Sequence, residues 1–244
     1  SPTAFIRSTH NTVAGQIALL MKNQGYNMTM TQGSLSFERS LIDAKAAMLA
    51  GEFNSALIGA VDEMSETVKA VLTNLMSNQN SNIQLGQGSS FFVLVKNLDH
   101  PVSLEASHPS FAGGELGAEN SSPGNSLSRK VYGREYPKGE GVFVSDIITN
   151  INGQSKESVD TLIEKNGTPD LILNGSSLQF DQPSISYKNY CGEYFSASGF
   201  GTFLAANILD SGFLPGGESA ESVSRILVCS GFGNELGLIL LEKR

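Results

Sequence analysis

The sequence predicts an α/β protein in which helices cover a sheet on both sides. Stretches with apolar residues at helical spacing alternate along the chain with short, nearly all-apolar segments of strand-forming residues. This alternation is typical of layered α/β folds. A length of 244 residues and an apolar content of 40% are sufficient to bury a sizeable core.

The first predicted element is a turn that leads into a helix, within residues 5–21. The residues that predict one buried face are Val13, Ile17, Leu20 and Met21. Residue types that cap a helix start occur at Ser8, Thr9 and Asn11. His10 is therefore placed at a helix N-terminus, where free N–H groups and the helix dipole suit a nucleophile, an oxyanion or a bound anion. The alternative interpretation is that His10 only enters the helix.

Further helices and strands are predicted in the first half of the chain. A helix from about Ser36 to Gly51 has one apolar face, formed by Phe37, Leu41, Ala44 and Met48. The run SALIGAV from Ser55 predicts a buried strand. The next helix carries Met64, Val68, Val71, Leu72 and Leu75. Strands are then predicted over residues 88–96 and at VSLEAS near Val102.

A segment rich in Gly, Pro and Ser, residues 107–141, predicts a connection between two halves, 1–106 and 142–244. The second half begins with two predicted helices, at residues 142–151 and 155–165. PDLILNGSS predicts a strand that ends in a turn. A later helix aligns Phe200, Phe203, Leu204 and Ile208, and two terminal strands flank residues 231–234.

Composition limits the classes of partner. A net charge of −8 disfavours a nucleic-acid or anionic-membrane surface, and no apolar run approaches the length of a membrane span. The start SPTAF lacks the features of a secretory signal, so we expect a cytoplasmic protein with two reduced cysteines. The three histidines fit no metal-ligand spacing, and we expect neither a metal nor a cofactor.

Four separated stretches together resemble the β-ketoacyl synthases of the thiolase-fold superfamily. STHNTVAGQIA resembles the turn and helix of the family's nucleophile, and PDLILNGSS resembles the strand and turn of its first catalytic histidine. YKNYCGEYFSASG resembles the segment with the second histidine, and GFGNELG resembles the gatekeeper loop. The segment SLSFERSLIDAKAAMLAGEFNSALIGAVDE resembles the family's helix and strand after the nucleophile. The resemblance implies a layered αβαβα fold with two related halves, the first of them incomplete at its start.

The resemblance places the family's catalytic positions on residues of different chemistry. The cysteine and the two histidines of the family correspond, in this order, to His10, Asn174 and Glu193. The supporting positions are Thr9, Asn11, Lys188 and Phe232, of which the last two keep the family's lysine and gatekeeper phenylalanine.

These replacements disfavour condensation. A thiolate is both nucleophile and leaving group, whereas an imidazole at His10 would give at best a transient acyl-imidazole. Asn174 can donate one hydrogen bond to an enolate oxygen, but an ionised Glu193 would repel its charge. Burial that keeps Glu193 neutral would restore a catalytic role. The alternative nucleophiles are Cys191 and a relay of Ser8, His10 and Glu193.

The resemblance therefore implies a ketosynthase-like subunit of fatty acid or polyketide-type biosynthesis that lacks condensing activity. It is similar to the cysteine-less chain-length factors of aryl-polyene and flexirubin-type clusters. These imply two partners, a ketosynthase in a hetero- or homodimer and an acyl carrier protein. Candidate basic residues for docking the acidic carrier are Arg129, Lys130, Arg134 and Lys138. The alternatives are an active acyltransferase, thioesterase or 3-oxoacyl synthase with non-standard residues, and a non-catalytic acyl- or metabolite-binding module.

Overall fold

The computed structural model describes residues 11–76, 84–96, 103–105 and 141–244, and its helices and strands confirm the α/β class. The described elements of the first part are α1 (Thr12–Met21), a 3-10 turn (Gly33–Leu35), α2 (Ser36–Ala50), β1 (Ser55–Asp62), α3 (Glu66–Met76), β2 (Gly88–Val95) and β3 (Ser103–Glu105). Those of the second part are β4 (Val142–Asn150), α4 (Lys156–Asn166), β5 (Leu171–Gly175), β6 (Ser184–Ile185), α5 (Lys188–Cys191), α6 (Ala197–Ser211), β7 (Arg225–Phe232) and β8 (Glu235–Lys243).

The described strands form one mixed sheet of eight, in the order β1-β2-β3-β4-β8-β7-β5-β6. β5 runs parallel to β6 and β7, and the other neighbouring strands are antiparallel. β7 and β8 form a hairpin in which Phe232 pairs with Glu235. Because β5 and β7 are parallel, their carboxyl ends meet at one edge of the sheet.

Helices cover both faces of the second part of this sheet. Residues of α2 and α6 form one buried cluster with Ile226 and Val228 of β7. Residues of α4 form a second cluster with Leu227 and Cys229, which alternate with the first pair along the strand. This alternation explains why β7 has an almost continuous apolar sequence, since each of its faces is covered.

Several predicted elements are confirmed with close boundaries. The predicted apolar face of α2 is buried at Phe37, Leu41, Ala44 and Met48, and the helix ends at Gly51 in the left-handed conformation. Ser155 caps α4 by accepting a hydrogen bond from the backbone N–H of Glu157. Strands β2, β3, β5, β7 and β8 and helix α6 also lie where the sequence predicts them.

The prediction of a helix over residues 142–151 is wrong, because this segment is strand β4. Its sequence VFVSDIITN is rich in aromatic and β-branched residues, which pack well on a pleated surface. Antiparallel pairing with β8 from Val142 to Asn150 satisfies its backbone groups. The length and apolar content of this segment also fit a helix, so its conformation is determined by tertiary pairing.

The predicted burial of α1 is also wrong, although the helix itself is confirmed. None of its residues is buried, and Leu20 is 85% exposed. Helical spacing identifies an apolar stripe but not the surface that covers it. The strand at SALIGAV is likewise only half buried, because Ile58 and Ala60 face the core whereas Leu57 and Val61 are exposed.

No helix in the described part of the chain is both long and apolar enough to cross a bilayer. The division at residues 107–141 falls almost entirely on residues outside the described ranges, and it stays a prediction.

Helix α2 contains a matched pair of leucines that tests its burial. Leu41 is 1% exposed and Leu49 is 55% exposed. We expect Leu41→Ala to lower the free energy of unfolding by about 2–5 kcal/mol, because it leaves a cavity among packed side chains. Leu49→Ala should change it by less than about 0.5 kcal/mol. Urea unfolding of both variants measures the difference, and equal losses would contradict the position of α2.

Candidate functional site

The candidate site lies at the sheet edge where β5 and β7 end. Asn174 is near the end of β5, and Phe232 is the last residue of β7. Lys188 begins the short helix α5, and Glu193 comes after that helix and Gly192. The fold thus brings four of the predicted site residues, separated along the chain, to one end of the sheet.

Lys188 and Glu193 form a buried ion pair. The Lys188 Nζ lies 2.6 Å from Glu193 Oε2, and both side chains are more than nine-tenths buried. Lys188 Nζ also donates to the backbone carbonyl of Gly231, at 3.0 Å. The backbone of Glu193 is fixed in turn, because it exchanges hydrogen bonds with Gln84 and Gly86. Each charge therefore has a partner and a defined position.

The environment of Glu193 makes it an acceptor for Lys188. Burial raises the pKa of the Glu193 carboxyl, and the adjacent Lys188 ammonium opposes that shift. The 2.6 Å contact engages one carboxyl oxygen. A residue held in this way neutralises the lysine charge, whereas the imidazole implied by the resemblance would donate to a reaction intermediate.

The side-chain amide of Asn174 forms its hydrogen bonds within its own turn. Its Nδ2 donates to the carbonyl of Leu178 at 2.9 Å. Its Oδ1 accepts hydrogen bonds from the backbone N–H of Ser176 at 2.9 Å and from the Ser176 hydroxyl at 2.8 Å. One N–H of the amide is left to bind a ligand. A condensing site would supply more hydrogen-bond donors to the oxyanion.

Cys191 and Phe232 lie beside these polar groups. Burial raises the pKa of the Cys191 thiol to about 12, so the thiolate is scarce near neutral pH. This protonation state disfavours Cys191 as a nucleophile. The ring of Phe232 meets that of Phe195 edge-on, with 5.8 Å between centroids. Phe232 thus packs against a second aromatic ring beside the polar groups, and its gatekeeper role stays a prediction.

Several predicted residues lie outside the described ranges. These are Ser8, Thr9, His10, Arg129, Lys130, Arg134 and Lys138. Asn11 is described and directly precedes α1, but its side chain makes no capping hydrogen bond. The assignment of the nucleophile position to His10 and the docking role of the basic residues stay predictions.

The structure adds residues from the start of α2 that sequence reasoning missed. The Ser34 hydroxyl donates to Glu235 Oε2 at 2.5 Å, and the Ser230 hydroxyl donates to Glu38 Oε1 at 2.5 Å. Ser34, in the 3-10 turn before α2, and Glu38, in the first turn of α2, thus both contact the β7–β8 hairpin. The sequence does contain one signal for these contacts. Glu38 lies between Phe37 and Leu41 of the apolar stripe, and a charged residue there needs a polar partner.

Two glycines make room for buried polar groups. A Cβ atom at Gly237 would lie 2.3 Å from Glu38 Oε1, and one at Gly175 would lie 2.3 Å from the Tyr187 hydroxyl oxygen. Both glycines pair with Ser230 across the sheet. Polar groups of Tyr187, Ser230 and Glu38 therefore lie over three neighbouring strands, β5, β7 and β8. Burial raises the pKa of the Glu38 carboxyl, and its hydrogen bond from Ser230 opposes the shift.

The ion pair predicts a nonadditive response to mutation. Glu193→Leu should lower the free energy of unfolding by about 3–5 kcal/mol, since it leaves the Lys188 ammonium buried without an anion. The double variant Lys188→Met, Glu193→Leu should lose less than this single variant. Urea unfolding at neutral pH measures both. A double variant that is less stable than the single one would contradict the cost assigned to the unpaired Lys188 ammonium.

Glu38 predicts a pH dependence of stability. Its folded-state pKa is above the usual value of 4.5, so the folded state binds more protons than the unfolded state between that value and the folded pKa. The contribution of Glu38 to stability is therefore full below about pH 4.5 and is lost as pH rises through the folded pKa. Glu38→Gln should remove this fall in the free energy of unfolding above about pH 4.5, measured by urea unfolding across a pH series.

The matched control is Glu52→Gln, at an exposed position after α2. Its pH profile should follow that of the unmodified protein. Identical profiles for the Glu38 and Glu52 variants would contradict the burial of the Glu38 carboxyl.

Comparisons with known proteins show what this chain resembles in sequence and in fold. Residues 1–80 match the family model described as β-ketoacyl synthase, N-terminal domain. A search of curated proteins found no match. Among solved structures, the chain resembles one from AntDE:AntF, a type II PKS acyl-carrier protein in complex with its ketosynthase, at 14% identity and a TM-score of 0.63. That likeness covers 96% of this chain and 64% of the other.

Two further structures show the same fold. The ishigamide ketosynthase/chain length factor is 14% identical with a TM-score of 0.62, over 96% of this chain and 61% of that one. A β-ketoacyl synthase from Burkholderia phymatum is 12% identical with a TM-score of 0.66, over 96% and 65%. This chain thus spans less than two thirds of the length of the solved chains it matches. The chain therefore resembles solved ketosynthases in fold, and its first 80 residues match the β-ketoacyl synthase N-terminal model.

Proposed function

We propose that this chain belongs to a ketosynthase-like subunit that does not itself condense acyl units and acts as a chain-length-factor-like partner of an active ketosynthase. The observation that carries the proposal is the buried Lys188–Glu193 pair. It puts an acceptor carboxylate where the resemblance implies a donor imidazole. An enolate formed next to Glu193 would meet a carboxylate and an amide that is mostly engaged, so its charge would be poorly stabilised.

The proposed partner is a ketosynthase. Structures with this fold include a ketosynthase/chain length factor, and the described chain exposes apolar side chains suited to a protein interface. On α1 these are Val13, Leu19, Leu20 and Met21. A second proposed partner is an acyl carrier protein, by analogy with the solved carrier–ketosynthase complex. The aryl-polyene or flexirubin-type setting follows from the sequence resemblance, as does a cytoplasmic location.

A second candidate function is acyl transfer without condensation. The specific observation in its favour is the Ser34–Glu235 contact, which pairs a hydroxyl with a carboxylate beside the same hairpin. This function is independent of whether a partner ketosynthase exists.

The test is a malonyl-thioester decarboxylation and condensation assay on the full-length protein, alone and with a candidate partner ketosynthase. We expect no product from the protein alone, and product from the mixture. His10→Ala and Glu193→Gln should leave the activity of the mixture within about twofold, because the reacting groups belong to the partner.

Circular dichroism confirms that each variant is folded before it is assayed. Condensation by the protein alone that is lost in either variant would overturn the non-condensing assignment. A mixture that gives the same product spectrum as the partner ketosynthase alone would overturn the chain-length role.

A further inference from the structure

We propose that Ser34 is an acyl-accepting serine and that Glu235 is its general base, so that this site transfers acyl groups without forming carbon–carbon bonds. Acyl transfer at Ser34 does not require a partner ketosynthase. The choice of an acyl thioester as donor rests on the proposed function.

The contact between the two side chains is short and lies in a buried setting. Ser34 is 8% exposed, and its hydroxyl donates to Glu235 Oε2 at 2.5 Å. The two residues lie 201 positions apart in sequence, on the turn before α2 and at the start of β8. A hydroxyl that donates to a carboxylate at this distance already has its proton directed to a base.

The turn that carries Ser34 is held rigidly. Gly33 adopts a positive φ of 57°, a conformation that favours glycine. The Ser36 hydroxyl accepts from the backbone N–H of Gln32 and donates to the carbonyl of Gly33, both at 2.8 Å. A nucleophile fixed in this way loses little conformational entropy when it meets a substrate.

Ser34 faces the same hairpin as the rest of the candidate site. Glu235 pairs with Phe232 across the hairpin, and Glu38, one turn after Ser34, bonds to Ser230. Gly231, between Ser230 and Phe232, accepts the hydrogen bond from Lys188. Ser34 and Lys188 therefore contact the same hairpin, through Glu235 and Gly231, and the aromatic pair of Phe195 and Phe232 adds apolar surface at this hairpin.

The chemistry balances without a cofactor. The Ser34 Oγ attacks the thioester carbonyl carbon as its proton passes to Glu235, and the C–S bond breaks. The proton on Glu235 then neutralises the departing thiolate, which leaves a serine ester and a free thiol. Water, deprotonated by Glu235, attacks the ester carbon, and the C–O bond to Ser34 breaks. The products are a carboxylic acid and the original hydroxyl, so the overall reaction is thioester hydrolysis.

This cycle needs no enolate. It is therefore compatible with a Glu193 that only neutralises Lys188, whereas condensation requires stabilisation of a carbanion-derived charge. The same fold would then retain acyl transfer to a serine while it no longer catalyses condensation.

The experiment uses the full-length protein with hexanoyl-N-acetylcysteamine as the probe. Thiol release is measured over a buffer blank, and the acyl adduct is located by mass spectrometry of peptides. We expect an adduct on Ser34 that resists neutral hydroxylamine, as an oxygen ester does. Ser34→Ala should reduce release to the blank, and Glu235→Gln should slow it about 100-fold. Ser34→Cys should give an adduct that neutral hydroxylamine removes.

The matched control is Ser224→Ala, since Ser224 also donates to a carboxylate, that of Asp170, but directly before β7 and so at the opposite end of that strand from Phe232. Its thiol release should equal that of the unmodified protein. The assignment of Ser34 is overturned by no release above the blank, by release that survives Ser34→Ala, or by an adduct on Cys191 or Cys229. Because no partner is present, this outcome is independent of the condensation assay, which tests the non-condensing role separately.

Discussion

A buried ammonium requires an anion, and the arrangement of the site follows from that requirement. Lys188 is almost fully enclosed, so its charge without a partner would cost several kcal/mol, on the order of the whole stability margin. Glu193 supplies the anion, and the Gly231 carbonyl supplies a second acceptor. The backbone of Glu193 is tied to residues 84–86, so one charge pair connects segments from both parts of the chain.

The second constraint is the polar face of α2. Most of the buried face of this helix is apolar and packs on the sheet, but Glu38, and Ser34 in the turn before the helix, form hydrogen bonds to β7 and β8. Polar contacts have stricter distances and directions than apolar packing. They therefore fix the position of α2 against the hairpin, while Gly237 leaves space for Glu38. The turn and the start of α2 are thus held to the hairpin that carries Phe232.

The sequence is sufficient to predict much of the fold, and the reasons are local. Helix α2 combines an apolar stripe with a glycine stop, and β5 and β7 are short apolar runs that end in small residues. Strand β4 is predicted as a helix because its apolar content fits either structure. Its conformation is determined by pairing with β8, about 90 positions later, which the local sequence does not reveal. The burial of α1 is predicted wrongly for a related reason, since periodicity does not identify a covering surface.

The site is only partly predictable. Lys188 and Glu193 lie five positions apart, and the resemblance groups them, so their proximity follows from local sequence. Ser34 and Glu235 lie 201 positions apart, and no local pattern connects them. The resemblance covers the segment of Ser34 and α2, but it assigns no site role to Ser34 or Glu235. A long-range hydrogen bond of this kind requires the fold to be known first.

The two carboxylates at this edge have different chemical capacities, and the difference follows from their partners. Glu193 accepts from the Lys188 ammonium, and proton transfer within that pair would only exchange two paired charges for two neutral groups. Glu235 accepts from a hydroxyl, and it can take up that proton while the Ser34 oxygen attacks a carbonyl carbon. A carboxylate at Glu193, where the resemblance implies an imidazole, offers no donor to a developing negative charge, while the proposed role of Ser34 provides a route for acyl transfer. One sheet edge can lose carbon–carbon bond formation and retain the chemistry of ester formation, because these reactions draw on different hydrogen bonds.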